Sequence, residues 1–491
     1  MLLLGIDVGT SSIKVSVIDA ATQNIIASAQ HPEGEREIIS LQTGWAEQSP
    51  NQWWSDVQAA VKKVNATKKF NPKDIGAIGI AYQMHGLVLI DKNGNLLRNS
   101  IIWCDSRAVP YGDAAFEKIG KEKCLQHLLN SPGNFTAAKL AWVKENEPEI
   151  FEKIDKIMLP GDFIAFKFTN NITTSASALS EGIFWDFKNN GISKDVLNYF
   201  GYDEKIFPNV QNVFSNHGTL TKIVADELNL KEGIPVTYKA GDQPNNALTL
   251  NVLNGGEFAA TAGTSGVIYG VDDKLVYDKE SRVNSFAHVN YTNQKTKIGV
   301  LLCINGTGIM NRYIRNLAGA NLSYNEINTQ ASAINAGSDG LYVLPFGNGA
   351  ERIFNNKIIG AHFLNIDLNK HTNAHFFKAA QEGIAFAFKY GFDIMQESGM
   401  KPVTIRAGKA NMFLSDVFIE AFVNTIGVPV ELYDADGSVG AAKGAGIGAN
   451  YYSSAEEACS TKKSLAIIEP SNTKKYQELY NNWFGFLKKF A

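Results

Sequence analysis

The feature that most constrains this chain is its opening segment, Leu2-Leu3-Leu4-Gly5-Ile6-Asp7-Val8-Gly9-Thr10-Ser11-Ser12-Ile13-Lys14-Val15-Ser16-Val17-Ile18-Asp19. Two apolar, β-branched runs around a short polar turn containing glycine predict a β-hairpin. Asp7 stands where the first strand ends. Gly9 lets the backbone turn sharply, so that successive N–H groups can point at one anion. Thr10, Ser11 and Ser12 add hydroxyls there, and Lys14 adds a cation. Asp7 alone would repel a phosphate; with Mg²⁺ between them, repulsion becomes attraction. By itself the segment reads equally well as an ordinary hairpin with a polar turn.

A second copy changes that balance. Phe258-Ala259-Ala260-Thr261-Ala262-Gly263-Thr264-Ser265-Gly266-Val267-Ile268-Tyr269-Gly270-Val271-Asp272 is again strand, Gly-Thr-Ser turn, strand and acid. Repetition at half-chain distance predicts two domains of related architecture, each with a phosphate-binding hairpin. Facing across a cleft, such hairpins would hold a nucleoside triphosphate between them.

The chain has 491 residues, too many for a single core. A net charge of −3 gives no reason to expect nucleic acid or an anionic membrane as partner. Cys104, Cys124, Cys303 and Cys459 form no C-x-x-C pair, which fits a reduced, cytoplasmic protein without a metal cluster. No basic, apolar leader opens the chain, and no apolar run is long enough to span a bilayer. Oligomeric state is not encoded legibly, and a homodimer is compatible with everything seen.

Ile25 to Ala29 predicts a third strand. Ser49, Pro50 and Gln52 predict a capped helix start, with Trp54, Val57, Val61 and Val64 on the buried face. Ile75 to Tyr82 returns to strand and delivers Gln83-Met84-His85-Gly86 into a loop. A following strand, Asn99 to Trp103, leads to Asp105 and Arg107. Polar side chains gathered at adjacent strand ends suit a sugar, whose hydroxyls need donors and acceptors. Leu140 and Trp142 read as core of an amphipathic helix. Further on, Gly241-Asp242 ends a strand between the two hairpin segments, where a base accepting a hydroxyl proton would sit.

In the second half, Gly306-Thr307-Gly308 is too short for a dinucleotide fingerprint. His371 and His375 have metal-ligand spacing but no third ligand, so a helix start is expected there. Ala379 to Met395 predicts a long apolar helix. Thr404 to Asn411 imitates a P-loop but has Ala410 where a hydroxyl residue is required. Gly437 to Ala449 predicts a small-residue helix built for close packing.

The two hairpins together resemble those of the FGGY carbohydrate kinases, of the actin/hexokinase superfamily. The likeness covers essentially the whole chain. Gln83-Met84-His85-Gly86 and Trp103-Cys104-Asp105-Ser106-Arg107 resemble most the branch that phosphorylates xylulose. Gly241-Asp242-Gln243 departs from that branch towards the glycerol-phosphorylating one. The resemblance implies an α/β protein with two actin-like (ribonuclease H-like) ATPase domains, residues 1–246 and 247–491, flanking a central cleft. It implies ATP and Mg²⁺ as cofactors, a small sugar as the other partner, and Asp242 as catalytic base with Asp7 orienting the metal. Gln83, Met84, His85, Asp105, Arg107 and Gln243 would face the sugar. Gly9, Thr10, Ser11, Lys14, Gly263 and Thr264 would hold phosphates. Gly306, Thr307, Gly408, Lys409 and Asn411 would approach the nucleotide, with Ala407 standing where the family has a glycine. The expected reaction is D-xylulose to its 5-phosphate; glycerol or a related polyol or ketose is the alternative substrate. An actin- or chaperone-like ATPase is the alternative class, against which stands the short tail after the last small-residue helix.

Overall fold

The computed structural model describes residues 1–319, 321–461 and 463–491. Strand β1 (Leu2–Val8) pairs antiparallel with β2 (Ile13–Asp19), and β2 with β3 (Ile25–His31), so the predicted hairpin and third strand form. Strands β4 (Ile75–Tyr82) and β5 (Val236–Gly241) then add in parallel on the other side of β1. The order is β5-β4-β1-β2-β3. Leu3, Leu4, Ile6 and Val8 are all fully buried, because β1 lies mid-sheet and is covered on both faces.

The second half repeats this plan. Its strands are β6 (Glu257–Ala262), β7 (Gly266–Asp272), β8 (Asn284–Ala287), β9 (Ile298–Ile304), β10 (Thr404–Gly408), β11 (Val430–Tyr433) and β12 (Ala466–Ile468). They are ordered β8-β9-β7-β6-β10-β11-β12. Without the edge strands β8 and β12, the order and strand senses match those of the first sheet. The architecture is thus the duplicated, actin-like α/β fold that the paired hairpins predict.

The helices that bear on the cleft are α1 (Pro50–Asn65), α2 (Thr136–Asn146), α3 (Asp242–Thr249), α4 (Gly308–Ala318), α5 (Asn373–Glu397) and α6 (Gly437–Gly448). Helix α1 starts at Pro50 as predicted, but without the capping box. Ser49 makes no side-chain cap, and the Gln52 amide instead donates to Asp56 at 2.9 Å. Asp56 is buried and also paired with Arg36, so it draws the Gln52 side chain away from the helix end. The buried face centres on Trp53, while Trp54 packs edge-on against Phe168. The strand expected over Asn99 to Trp103 shrinks to Ser100–Ile101. Leu140 is buried core, as expected. The Nδ1 atom of His375 accepts from the Thr372 N–H at 3.1 Å, helping to start α5. Among the described residues no group of three or more His, Cys, Asp or Glu side chains is placed to hold a metal. None of the described helices is long and apolar enough to cross a membrane.

Helix α6 comes late in the chain yet lies directly on the first sheet, against β1, β4 and β5. The contact is backbone to backbone. A Cβ on Gly5 would stand 1.8 Å from the Ser438 carbonyl oxygen, and one on Gly79 would stand 2.0 Å from that of Ala441. From the helix side, a Cβ on Gly448 would meet the Thr237 carbonyl at 1.9 Å. Helix α3 crosses α6 just as closely, with Gly440 against Thr249. The two helices therefore couple the halves of the molecule, and the division expected between residues 246 and 247 falls within α3.

Overpacking a close contact of this kind costs about 1–3 kcal/mol or more. Gly79→Ala should lower unfolding stability by that amount in a denaturant titration. Gly34→Ala, where an added Cβ meets nothing within 4 Å, should not. Equal midpoints for the two variants would contradict backbone contact between α6 and the sheet.

Candidate active site

Register builds the first half of the site. Val8 lies opposite Tyr82, and Tyr82 opposite Gly241, so three adjacent parallel strands end level. The residues that follow them emerge at one edge: Gly9 and Thr10, Gln83 to His85, and Asp242. Open sheets gather ligands at such strand ends.

Asp7 is the cross-strand partner of Lys14 on the neighbouring antiparallel strand. Its Oδ2 lies 2.3 Å from where a Cβ on Gly437 would stand, so only glycine lets the start of α6 approach this carboxylate. Burial, then the charge of Asp436, pushes the Asp7 carboxyl up to about 6, against the pull of Lys14. Burial, then Asp7, pushes Asp242 up to about 7. Asp436, which drew no attention in the sequence, caps α6: its Oδ1 accepts from the Ser438 N–H at 2.9 Å and the Ser438 hydroxyl at 2.5 Å. An Asp just before a run of small helical residues is an N-cap signal that could have revealed it. The Asp7 and Asp436 donors are all oxygen and repel one another, a combination that suits a hard divalent cation.

The loop after β4 divides into supports and contacts. Gln83 is buried; its Oε1 accepts from the Thr10 hydroxyl at 3.2 Å, and its amide donates to Gln48 at 3.0 Å. Gln48 in turn donates to the Thr10 carbonyl at 2.8 Å, so Gln83 braces the first turn. Trp103 is 46% exposed, with its indole N–H on the Thr10 hydroxyl at 2.9 Å. Ser11 and Lys14 are exposed beside that turn. Met84 packs against the end of β5: its Cγ lies 2.6 Å from where a Cβ on Gly241 would stand.

His85 has φ +64°, and its Nδ1 lies 2.9 Å from the Glu181 carbonyl oxygen. A carbonyl only accepts, so Nδ1 carries the proton and Nε2 is left as an acceptor. Burial lowers the ring pKa to about 3, so His85 is neutral at any working pH. Its own carbonyl is held by Lys139 of α2 at 2.9 Å. Beside the acid, the Gln243 amide donates to Asp242 Oδ2 at 3.3 Å, and Gln243 Oε1 is buried without a partner among the described residues.

Asp105 and Arg107 are engaged elsewhere. Both are buried; Asp105 accepts from the Ala46 N–H at 2.6 Å and from Arg107 Nε at 2.9 Å. The guanidinium also donates to Glu47 at 2.7 Å and stacks 3.8 Å from the centre of the Trp45 ring. Sequence reasoning missed Glu47 and Trp45, the partners that turn this pair inwards.

The second half of the site is a cavity of about 330 Å³ lined by Gly263, Thr264, Arg312, Tyr324, Asn328 and Asn411, among others. The N–H groups of Gly308 and Ile309 donate to the carbonyls of Gly263 and Thr264 at 2.9 and 3.1 Å, fixing the second turn on the start of α4. Gly306 and Thr307 do not line the cavity. Gly306 is pressed against the Pro345 carbonyl, and the Thr307 hydroxyl is buried on that of Ile304 at 3.0 Å. Gly408 ends β10, with the exposed Lys409 next. The Ala407 methyl is buried in the sheet opposite Ala260, away from the cavity opening. Tyr324 and Asn328 were invisible to sequence reasoning, because nothing local ties that helix to the second hairpin.

The family's N-terminal domain matches residues 2–249 and its C-terminal domain residues 258–449. The chain belongs to the FGGY family of carbohydrate kinases. A xylulose kinase of Haemophilus influenzae is 26% identical over 99% of both chains. The solved structure of a ligand-bound xylulose kinase from Lactobacillus acidophilus superposes with a TM-score of 0.90, at 21% identity over 99% of this chain and 98% of that one. A Plasmodium falciparum glycerol kinase with ADP superposes almost as well, with a TM-score of 0.89 at 22% identity over 100% and 98%. The fold is thus common to kinases named for different substrates.

The electrostatics carry a stability consequence. Asp7 and Asp242 bind their protons more tightly folded than unfolded, so the stability they contribute is present below about pH 4 and is lost as pH rises through about 6 and 7. Asp242→Asn should therefore raise the melting temperature most above pH 7, the gain shrinking as the pH falls towards 4. Calorimetry across that range checks this; a gain independent of pH would contradict the assignment.

Proposed function

We propose that the protein transfers the γ-phosphoryl group of ATP to a hydroxyl of D-xylulose, giving D-xylulose 5-phosphate. The observation that carries this is Asp242: a carboxyl at the level ends of three parallel strands, poised by burial near pH 7, in a chain whose other half holds a cavity against a second Gly-Thr turn. A base with that pKa accepts the hydroxyl proton as the phosphoryl group arrives. Residues 1–246 supply the sugar contacts and residues 247–491 the nucleotide contacts. The backbone donors of Thr10, Gly263 and Thr264 hold phosphate oxygens, in turns that Gly9 and Gly263 allow the backbone to make. Asp7 and Asp436 would hold Mg²⁺, which when bound neutralises charge on the phosphates. ATP as donor places the reaction in the cytoplasm.

For the sugar, His85 Nε2 accepts a hydrogen bond from a hydroxyl, Met84 covers the carbon chain, and Gln243 steadies the hydroxyl next to Asp242. The xylulose kinase relatives support a ketopentose. Gln243 is what favours the second reading, a kinase for glycerol or a similar polyol. Weight goes to the ketose, because a neutral, oriented acceptor such as His85 discriminates among hydroxyl patterns.

A coupled ADP-release assay over xylulose, ribulose and glycerol tests both. Xylulose should exceed glycerol widely in kcat/KM, and kcat/KM should climb as the pH rises through about 7, where Asp242 ionises. Asp242→Ala should lower kcat by about 10²–10⁴-fold, the usual loss for a general base, with ADP binding intact. Near-normal turnover in that variant would remove Asp242 from the mechanism, and a preference for glycerol would overturn the substrate.

A further inference from the structure

One buried acid beside this site has no place in the mechanism above. Glu181 is 2% exposed, and beyond the neighbouring Tyr82 hydroxyl its carboxyl oxygens have no hydrogen-bond partner among the described residues. Its Oε2 lies 2.9 Å from where a Cβ on Gly241 would stand, the same spot that Met84 approaches from the other side. Its main-chain carbonyl takes the His85 Nδ1 proton. Glu181 therefore meets the loop after β4 and the residue before Asp242 at once. A buried polar group left unpaired in a protein interior calls for a partner that arrives with a ligand.

We infer that Glu181 is a specificity residue for ketoses: its carboxylic O–H donates to the sugar carbonyl, and its other oxygen accepts from the adjacent hydroxyl. This rests on the sugar-kinase function proposed above. His85 Nε2 can only accept, so it cannot satisfy a carbonyl oxygen; a neutral carboxyl can both donate and accept. An alditol, which has a hydroxyl in place of the carbonyl, has no need of that donor.

The charged and titratable groups around Glu181 favour the neutral acid. Burial pushes its carboxyl well above the usual range; Tyr82 opposes this, Asp242 and Asp162 add to it, and Lys139 opposes it more weakly. Tyr269 also faces it. Lys139 directs two of its three N–H donors to the carbonyls of His85 and Ile102, both at 2.9 Å, so its pull on Glu181 is shared with those carbonyls.

The test compares D-xylulose with xylitol as acceptors, in the full-length enzyme with ATP and Mg²⁺. Glu181→Ala should raise the KM for xylulose by about 10–100-fold, the effect of leaving one buried polar group unpaired. It should change kcat little and leave the xylitol parameters within a few-fold of wild type. Glu181→Gln, which keeps one donor and one acceptor, should stay near wild type. In wild type the KM for xylulose, but not for xylitol, should rise with pH as Glu181 ionises, and Glu181→Gln should abolish that rise. Should Glu181→Ala fail to fold, the Gln variant decides alone. A wild type that prefers xylulose, with a ketose-to-alditol ratio unmoved by Glu181→Ala or a pH dependence that survives in Glu181→Gln, overturns this inference alone. A wild type with no ketose activity overturns it together with the proposed function.

Discussion

Backbone contact between α6 and the first sheet is the constraint on which the cleft depends. It requires glycine on both sides: Gly5 and Gly79 in the strands, Gly448 in the helix. Because the helix lies that close, its first residue reaches Asp7, and its cap, Asp436, comes near enough to perturb Asp7. A helix set back by one methyl group would separate these acids and open the crossing with α3, which begins at Asp242. The small-residue composition of α6 thus sets the geometry of the carboxylates, although no residue within the helix touches the sugar end of the site.

The site stores electrostatic cost in a defined place. Asp7 and Asp242 are both raised, to about 6 and about 7, chiefly by burial, with Asp436 adding to the first and Asp7 to the second. A sequence selected for stability alone would neutralise one of them. Keeping both means the free protein holds groups that prefer a cation or a proton, the condition under which incoming Mg²⁺ and a reacting hydroxyl gain most. The neighbouring network of Asp105, Arg107, Glu47 and Trp45 has the opposite character. Its carboxylates are both paired with the Arg107 guanidinium, which also stacks on Trp45, and it stiffens the loop that carries Trp103.

Much of this was legible in the sequence, and what was not has a common cause. The two hairpins, their duplicated sheets and the position of Asp242 at a strand end follow from local signals: apolar runs, glycine turns and an acid directly after a strand. The differences arise where a side chain finds a partner that its residue type does not select, some near in the chain and some far. Ser49 and Gln52 have the residue types of a capping box, but Asp56 takes the glutamine amide. Asp105 and Arg107 follow a strand end next to the loop after β4, but Glu47 and Trp45, far back in the chain, turn them inwards. Thr307 looks like a phosphate ligand until its hydroxyl is found on a neighbouring carbonyl. Glu181 carried no local signal, since a lone Glu at a helix end reads as solvated. Ala407, which stands where the family has a glycine, is buried in the sheet opposite Ala260.

The central claim is that the level strand ends around Asp242 and the second-turn cavity act as opposite ends of one phosphoryl-transfer site. A crystal structure with D-xylulose and a non-hydrolysable ATP analogue tests it most directly. The account predicts adenosine in the cavity beside Tyr324 and Asn411, with the γ-phosphate between the turns at Gly9 and Gly263. It also predicts one sugar hydroxyl within about 2.6–3.2 Å of the Asp242 carboxylate, the reach of a general base. A nucleotide bound outside that cavity, or a sugar with no hydroxyl near Asp242 when both ligands are present, would contradict it.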